Sequence, residues 1–153
     1  MREDLLRLFV EHTPAAVAMF DRQMRYLLVS RRFLTDYRLS EPEIIGKSHY
    51  DIFPEIRKMP HWVAVHRRCL AGATERCEED PFPRADGSID WVRWEVLPWR
   101  DSSGEIGGIL MMTEVITEKK GTEISLRKQV NDLQKEVDGF LSEMGRPPKY
   151  KPE

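Results

Sequence analysis

The side chains best suited to chemistry lie in a segment that begins near Pro60 and stops at Gly72. Five side chains of this segment recur at the spacing of one buried helical face: Trp62, Val65, His66, Cys69 and Leu70. A neutral imidazole in apolar surroundings can ligate haem iron, so His66 is a candidate cofactor ligand. A hydrogen bond in the core explains a histidine on an apolar face equally well, and both interpretations stay open.

Other groups of reactive residues are better explained by structure. The acidic run from Glu75 to Asp80 offers oxygen ligands but lacks the spacing and central glycine of a calcium loop. We interpret it as the charged edge of a strand, and we predict no metal site. Gly107 and Gly108 open an apolar strand, not a helix, so they do not form a phosphate cradle. Two cysteines are too few for a disulfide scaffold, and we treat both as thiols.

The positions of the histidines argue against catalysis. All four precede the C-terminal helix, namely His12, His49, His61 and His66. That helix therefore has no phosphoacceptor, and the rest of the chain leaves no room for an ATP-binding block. No nucleophile stands beside a suitable base. We predict that the chain is not an enzyme.

The charge balance and hydropathy restrict the partners. The 153 residues include 24 Lys and Arg against 26 Asp and Glu, a formal net charge of −2. Such a chain lacks the cationic field that nucleic-acid binding needs. No apolar run approaches the ~20 residues of a membrane span, and acidic residues at 3 and 4 argue against a secretory signal. We expect a cytoplasmic protein without nucleic-acid or membrane partners.

The order of predicted elements is that of an α+β domain. An amphipathic helix covers 1–13 and ends before Pro14. Apolar runs at 15–20 and 26–30 predict two strands, and short helices follow as far as Gly72. Residues 74–84, 89–99 and 106–116 predict three more strands, the middle one with alternating polarity. An antiparallel sheet with helices gathered on one face fits this order.

The segment 121–145 predicts an amphipathic helix with a heptad seam. Apolar residues recur at spacings of 4, 3, 4, 3 and 4, at Leu126, Val130, Leu133, Val137, Phe140 and Met144. This pattern favours a coiled coil with a second subunit, and packing back on its own domain is the alternative. Residues 146–153 are rich in proline and predict a flexible tail.

Five stretches in order resemble a PAS domain of the type found in front of bacterial histidine kinases: 14–21, 45–54, 69–72, 84–94 and 116–120. The resemblance runs from about Leu5 to Lys120. It implies a five-stranded antiparallel sheet enclosing a pocket against short helices, with the sensor domain at 14–120. The helix at 1–13 then precedes the sensor, and the coiled-coil-like helix at 121–145 follows it.

The resemblance also implies a function. Such a domain detects a small ligand, a cofactor or a redox cue, and relays it through the C-terminal helix to an effector such as a histidine kinase of a two-component system. The cofactor is unknown; haem on His66 and non-covalent flavin are both possible, with Trp62 and Trp94 as further pocket candidates. Cys69 does not stand in the Asn-Cys-Arg-Phe-Leu-Gln motif of light-sensing flavin domains. A homodimer is expected, and a ligand-free interaction scaffold is the alternative.

Overall fold

The computed structural model describes residues 2–145, so the predicted tail at 146–153 lies outside the described residues. The chain divides after Val115 into two units. The first unit holds, in chain order, α1 (Arg2–His12), β1 (Ala16–Asp21), β2 (Tyr26–Val29), α2 (Arg31–Tyr37), α3 (Glu41–Ile44), α4 (His49–Ile52), a 3₁₀ turn (Pro54–Lys58), α5 (Pro60–Leu70), β3 (Glu75–Pro83), β4 (Ile89–Arg100) and β5 (Ile106–Val115).

The five strands form one antiparallel sheet in the order β2-β1-β5-β4-β3. Helix α2 packs on β1, and α5 packs on β4 and β5. Because successive strand residues point to opposite faces, alternate residues of each strand enter the core. On β1 these are Ala16, Ala18 and Phe20, all buried. The predicted α+β architecture with a five-stranded antiparallel sheet is confirmed.

The short helices predicted from the sequence begin at Ser40, and helix α2, which lies before them, was missed. Ser30 caps it, because its hydroxyl accepts a hydrogen bond from the Phe33 amide at 3.2 Å. The same hydroxyl accepts from the Val17 amide and donates to the Ala15 carbonyl, so Ser30 also ties β2 to the start of β1. In the sequence, the sign of this helix was Ser30, a residue type that favours helix N-caps, directly after an apolar strand.

A pair of glycines lets a tryptophan lie against the middle of the sheet. The Trp99 indole donates from Nε1 to the Phe20 carbonyl at 2.8 Å. A Cβ on Gly107 would lie 2.2 Å from the Trp99 ring, and one on Gly108 would lie 1.8 Å from the Phe20 carbonyl oxygen. The two glycines therefore serve close packing.

The second unit contains α6 (Thr117–Glu143). The apolar seam predicted from the heptad spacing lies on this helix and its C-terminal cap, and each of its six side chains is more than half exposed. Among the described residues no helix combines the length and hydropathy that crossing a bilayer requires.

Candidate functional site

A small cavity lies between the helices and the sheet of the first unit. Its volume is about 50 Å³, and its wall is mainly aromatic, with rings from Phe33, Tyr37, Phe53, Trp62, Phe82 and Trp94. The sequence folds this way because the inward positions of β4 face apolar positions of α2 and α5. A ligand in this cavity would bury its apolar groups against the aromatic rings, away from water.

Two buried histidines contribute polar groups to the wall, beside the Thr113 hydroxyl, which accepts a hydrogen bond from Tyr37. His66 on α5 and His49 on α4 are each 4% exposed, and their ring centroids lie 5.4 Å apart. The Tyr26 hydroxyl lies 2.6 Å from Nδ1 of His49, and the Tyr50 hydroxyl lies 2.9 Å from Nδ1 of His66. We call the two imidazoles the histidine pair.

Both imidazoles are held in their neutral form. Burial lowers the pKa of His66 to about 4. Burial, together with repulsion from His66, holds the pKa of His49 well below its ordinary value. Burial also raises the pKa values of the Tyr26 and Tyr50 hydroxyls, so both stay protonated. The histidine pair is uncharged near neutral pH.

One carboxylate holds the two tryptophans of the cavity wall. Oδ2 of Asp80 accepts hydrogen bonds from the indole Nε1 of Trp62 and of Trp94, each at 2.8 Å. Trp62 in turn stacks on Phe82, with ring centroids 5.3 Å apart and an interplanar angle of 14°. A shift of register in β3 between Cys77 and Asp80 makes the contact possible, because it places Asp80 opposite the buried Val92. Asp80 therefore holds two side chains of the cavity wall in place.

Replacing Asp80 by Ala is expected to destabilise the first unit by about 2 kcal/mol, since two indole N–H groups lose a charged acceptor. Asp80→Asn keeps a carbonyl oxygen and should cost less. Glu78→Ala, at an exposed site in the same acidic run, is the control. Urea unfolding followed by circular dichroism measures all three, and equal midpoints for Asp80→Ala and Glu78→Ala would contradict the role.

An arginine covers the rim beside these rings. The Arg84 guanidinium lies over the rings of Tyr37 and Phe82, at 4.9 and 5.0 Å from their centroids. It also pairs with Asp90 at 2.7 Å and donates to the Asp36 carbonyl. These contacts join α2 to the hairpin between β3 and β4 at the rim of the cavity.

The cavity does not fit haem or flavin as its side chains stand. Its volume of about 50 Å³ lies far below the roughly 300–1,000 Å³ of sites for drug-sized ligands. For metals, the residues described assemble no group of three or more His, Cys, Asp and Glu side chains. The side chains in the cavity wall that could act as metal ligands are the imidazoles of His49 and His66.

All three residues singled out from the sequence line this cavity: His66, Trp62 and Trp94. Sequence reasoning missed His49, which also lines the cavity, and Asp80, which holds the indoles of Trp62 and Trp94. His49 follows Ser48, whose hydroxyl caps α4 by accepting from the Tyr50 amide. That capping pattern was visible in the sequence; the partners of His49 and Asp80 were not, because they come from distant segments.

Comparison with solved structures shows the same fold elsewhere. The PAS domain of BvgS from Bordetella pertussis is 21% identical with a TM-score of 0.64, over 88% of this chain and 98% of that one. An RNA-binding light-oxygen-voltage receptor is 17% identical with a TM-score of 0.64, over 88% of this chain. A Vibrio cholerae VqmA–ligand–DNA complex is 18% identical with a TM-score of 0.61, over 76% of this chain.

At sequence identities of 17–21%, the structural similarity to these proteins shows that the fold is shared. The chain spans 38% of the receptor chain and 52% of the VqmA chain. None of the curated proteins matches it. The family described as PAS fold, however, matches residues 10–121, which include the whole sheet and every residue of the cavity wall. That match covers well over half of the sequence, and the chain belongs to the PAS fold family.

Proposed function

We propose that the chain is a non-catalytic sensory and dimerisation module. Residues 14–120 form the sensor, which takes a small ligand into the aromatic cavity. Residues 121–145 pair with the same helix of a second copy and relay the state of the sensor to an effector, such as a histidine kinase. The observation that carries the proposal is the exposed heptad seam of α6, since a relay by pairing needs such a surface.

The residue types along the seam favour two parallel helices. Val130 and Val137 occupy the first apolar position of successive heptads, and Leu126 and Leu133 occupy the other. β-Branched residues at the first position with leucine at the second favour a parallel dimer. The helix has 27 residues and so extends about 40 Å. A parallel dimer would align the N-terminal ends of the two α6 helices, each of which directly follows its sensor in the chain.

Changing Leu133 to Asp is expected to weaken self-association roughly hundredfold. Each fully buried seam side chain contributes ~1.5–3 kcal/mol, and the substitution also puts two carboxylates opposite each other in the pair. Size-exclusion chromatography with light scattering, at matched micromolar concentrations, should show a dimer for the parent chain and a monomer for the variant.

Ser142→Asp is the matched control, because it adds the same charge on the exposed side of α6 away from the seam. It should leave the dimer intact. A monomeric parent chain, or a Leu133→Asp variant that stays dimeric, would contradict dimerisation through the seam.

The small volume of the cavity favours a second candidate. About 50 Å³ is little space, and the surrounding side chains fill most of the interior. A protein-interaction scaffold that binds no ligand would need no larger cavity than this. Of the similar structures, one is a VqmA–ligand–DNA complex and another is an RNA-binding light-oxygen-voltage receptor. For this chain, the expected lack of nucleic-acid partners remains a prediction from its net charge of −2.

A further inference from the structure

The buried tyrosines determine which nitrogen of each imidazole carries the proton. Tyr26 is fully buried, and among the described residues its hydroxyl has a single partner, Nδ1 of His49. If Nδ1 donated to the tyrosine oxygen, the phenolic proton would have no acceptor, which is costly for a buried group. Tyr26 therefore donates, Nδ1 of His49 accepts, and the neutral ring carries its proton on Nε2.

His66 repeats the arrangement. Its Nδ1 faces the hydroxyl of Tyr50, which is partly buried and stays protonated. We take this hydroxyl to donate to Nδ1, as that of Tyr26 does, which places the imidazole proton on Nε2. Within the described range, residues 2–145, neither Nε2 has a hydrogen-bond partner, and both rings line the cavity. Among the described residues no sealed-off side-chain nitrogen lacks a partner, so each Nε2 is open to an acceptor, water or a ligand, in the cavity.

The surroundings restrict what that acceptor is. None of the described side chains that line the cavity carries a charge when the histidine pair is neutral. A carboxylate would be buried there without a cationic partner, and an ammonium group would meet two donors, so an uncharged ligand fits best. The volume, about 50 Å³, is a third of the roughly 150 Å³ that accepts benzene, so the ligand is smaller than benzene.

We propose that the histidine pair recognises the oxygen of a small uncharged carbonyl compound, whose apolar part lies among the aromatic rings. In the resting state water fills the role of acceptor, and the ligand displaces it. This inference rests on the sensory function proposed above, and it names the class of ligand for that cavity.

Acetone and 2-methylpropene provide a direct test, because they have nearly the same shape and differ in the carbonyl oxygen. Titrations of the full chain, followed by NMR of the methyl groups of Met111 and Val65 in the cavity wall, give both affinities. We expect acetone to bind at least about tenfold more tightly, since 2-methylpropene would leave the N–H donors without an acceptor. Long-range ¹H–¹⁵N correlation should find the proton of each imidazole on Nε2.

The double variant Tyr50→Phe, His66→Phe removes one donor together with the hydroxyl that pairs with it. It should still bind 2-methylpropene and should lose most of the preference for acetone. Equal binding of both probes by the parent chain would overturn the carbonyl assignment and leave a ligand-binding sensor. Binding of neither probe would overturn the sensory cavity as well. Protons on Nδ1, or a preference that survives in the double variant, would also overturn the assignment.

Discussion

Lowering the pH from 6.5 towards 4.5 is expected to destabilise the PAS domain steeply. The pKa of His66 is about 4 in the folded chain and 6.5 ordinarily, so between these values the unfolded state binds more protons. Stability is then fully present above pH 6.5 and falls as the pH decreases to about 4. The shift corresponds to about 3 kcal/mol, and His49 adds to it because burial also lowers its pKa.

Carboxylates contribute in a lower pH range, which separates them from the histidines. Hydrogen bonds from Arg68, Ser88 and Ser103 hold the pKa values of three acids below their ordinary values of 3.8–4.5, at Glu75, Asp86 and Asp101 respectively. For a lowered carboxyl pKa, the stabilisation is present above the ordinary value and is lost as the pH falls through the folded value. The loss between pH 6.5 and 4.5 therefore reports on the histidine pair.

Urea unfolding at a series of pH values measures the effect as a slope, so the absolute stability of a variant does not matter. The double variant Tyr50→Phe, His66→Phe should flatten the slope, leaving the contribution of His49. The single variant Tyr50→Phe keeps both imidazoles in place and should retain the slope of the parent chain. A parent chain whose free energy of unfolding is constant over this range would show that the histidine pair is hydrated and titrates normally.

The sequence was sufficient to predict the sheet, α5 and the seam of α6, because each has a clear hydrophobic period. His66, Trp62 and Trp94 could also be identified, since helical spacing and strand alternation place them on buried faces. Helix α2 was missed because its first residue follows a strand without a turn, and the Ser30 cap was taken as the end of the strand.

Asp80 shows why the rest of the site could not be predicted. The acidic run was interpreted as a charged strand edge, with no role in the core. One additional residue between Cys77 and Asp80 reverses which side chains face the helices, so that Phe82 is buried in the core and Asp80 reaches the indoles of Trp62 and Trp94. A shift of one residue moves every following side chain to the other face, and sequence polarity does not reveal where it occurs. His49 was missed for a related reason, since its partner Tyr26 lies 23 residues away.

Replacing Gly108 by Ala is expected to cost more than about 4 kcal/mol, a large part of the stability of a small domain. The added Cβ would lie 1.8 Å from the carbonyl oxygen of Phe20 and 2.8 Å from the indole nitrogen of Trp99. Gly108 sits on β5 between β1 and β4, so a shift of the backbone would break pairing on both sides. Thermal unfolding followed by circular dichroism should show little cooperative transition.

The neighbouring glycine gives a test that separates a backbone clash from a side-chain clash. A Cβ on Gly107 would meet the ring of Trp99, whereas the closest atom to one on Gly108 belongs to the backbone. Trp99→Ala should therefore restore much of the stability lost in Gly107→Ala and little of that lost in Gly108→Ala. Gly121→Ala, on α6 with open space around it, should be neutral or stabilise the helix by up to about 1 kcal/mol. A Gly108→Ala variant that unfolds at the same temperature as the parent chain would show that β1 and β5 are not held at this distance. If Trp99→Ala rescued both glycine variants, the clash would belong to the indole alone.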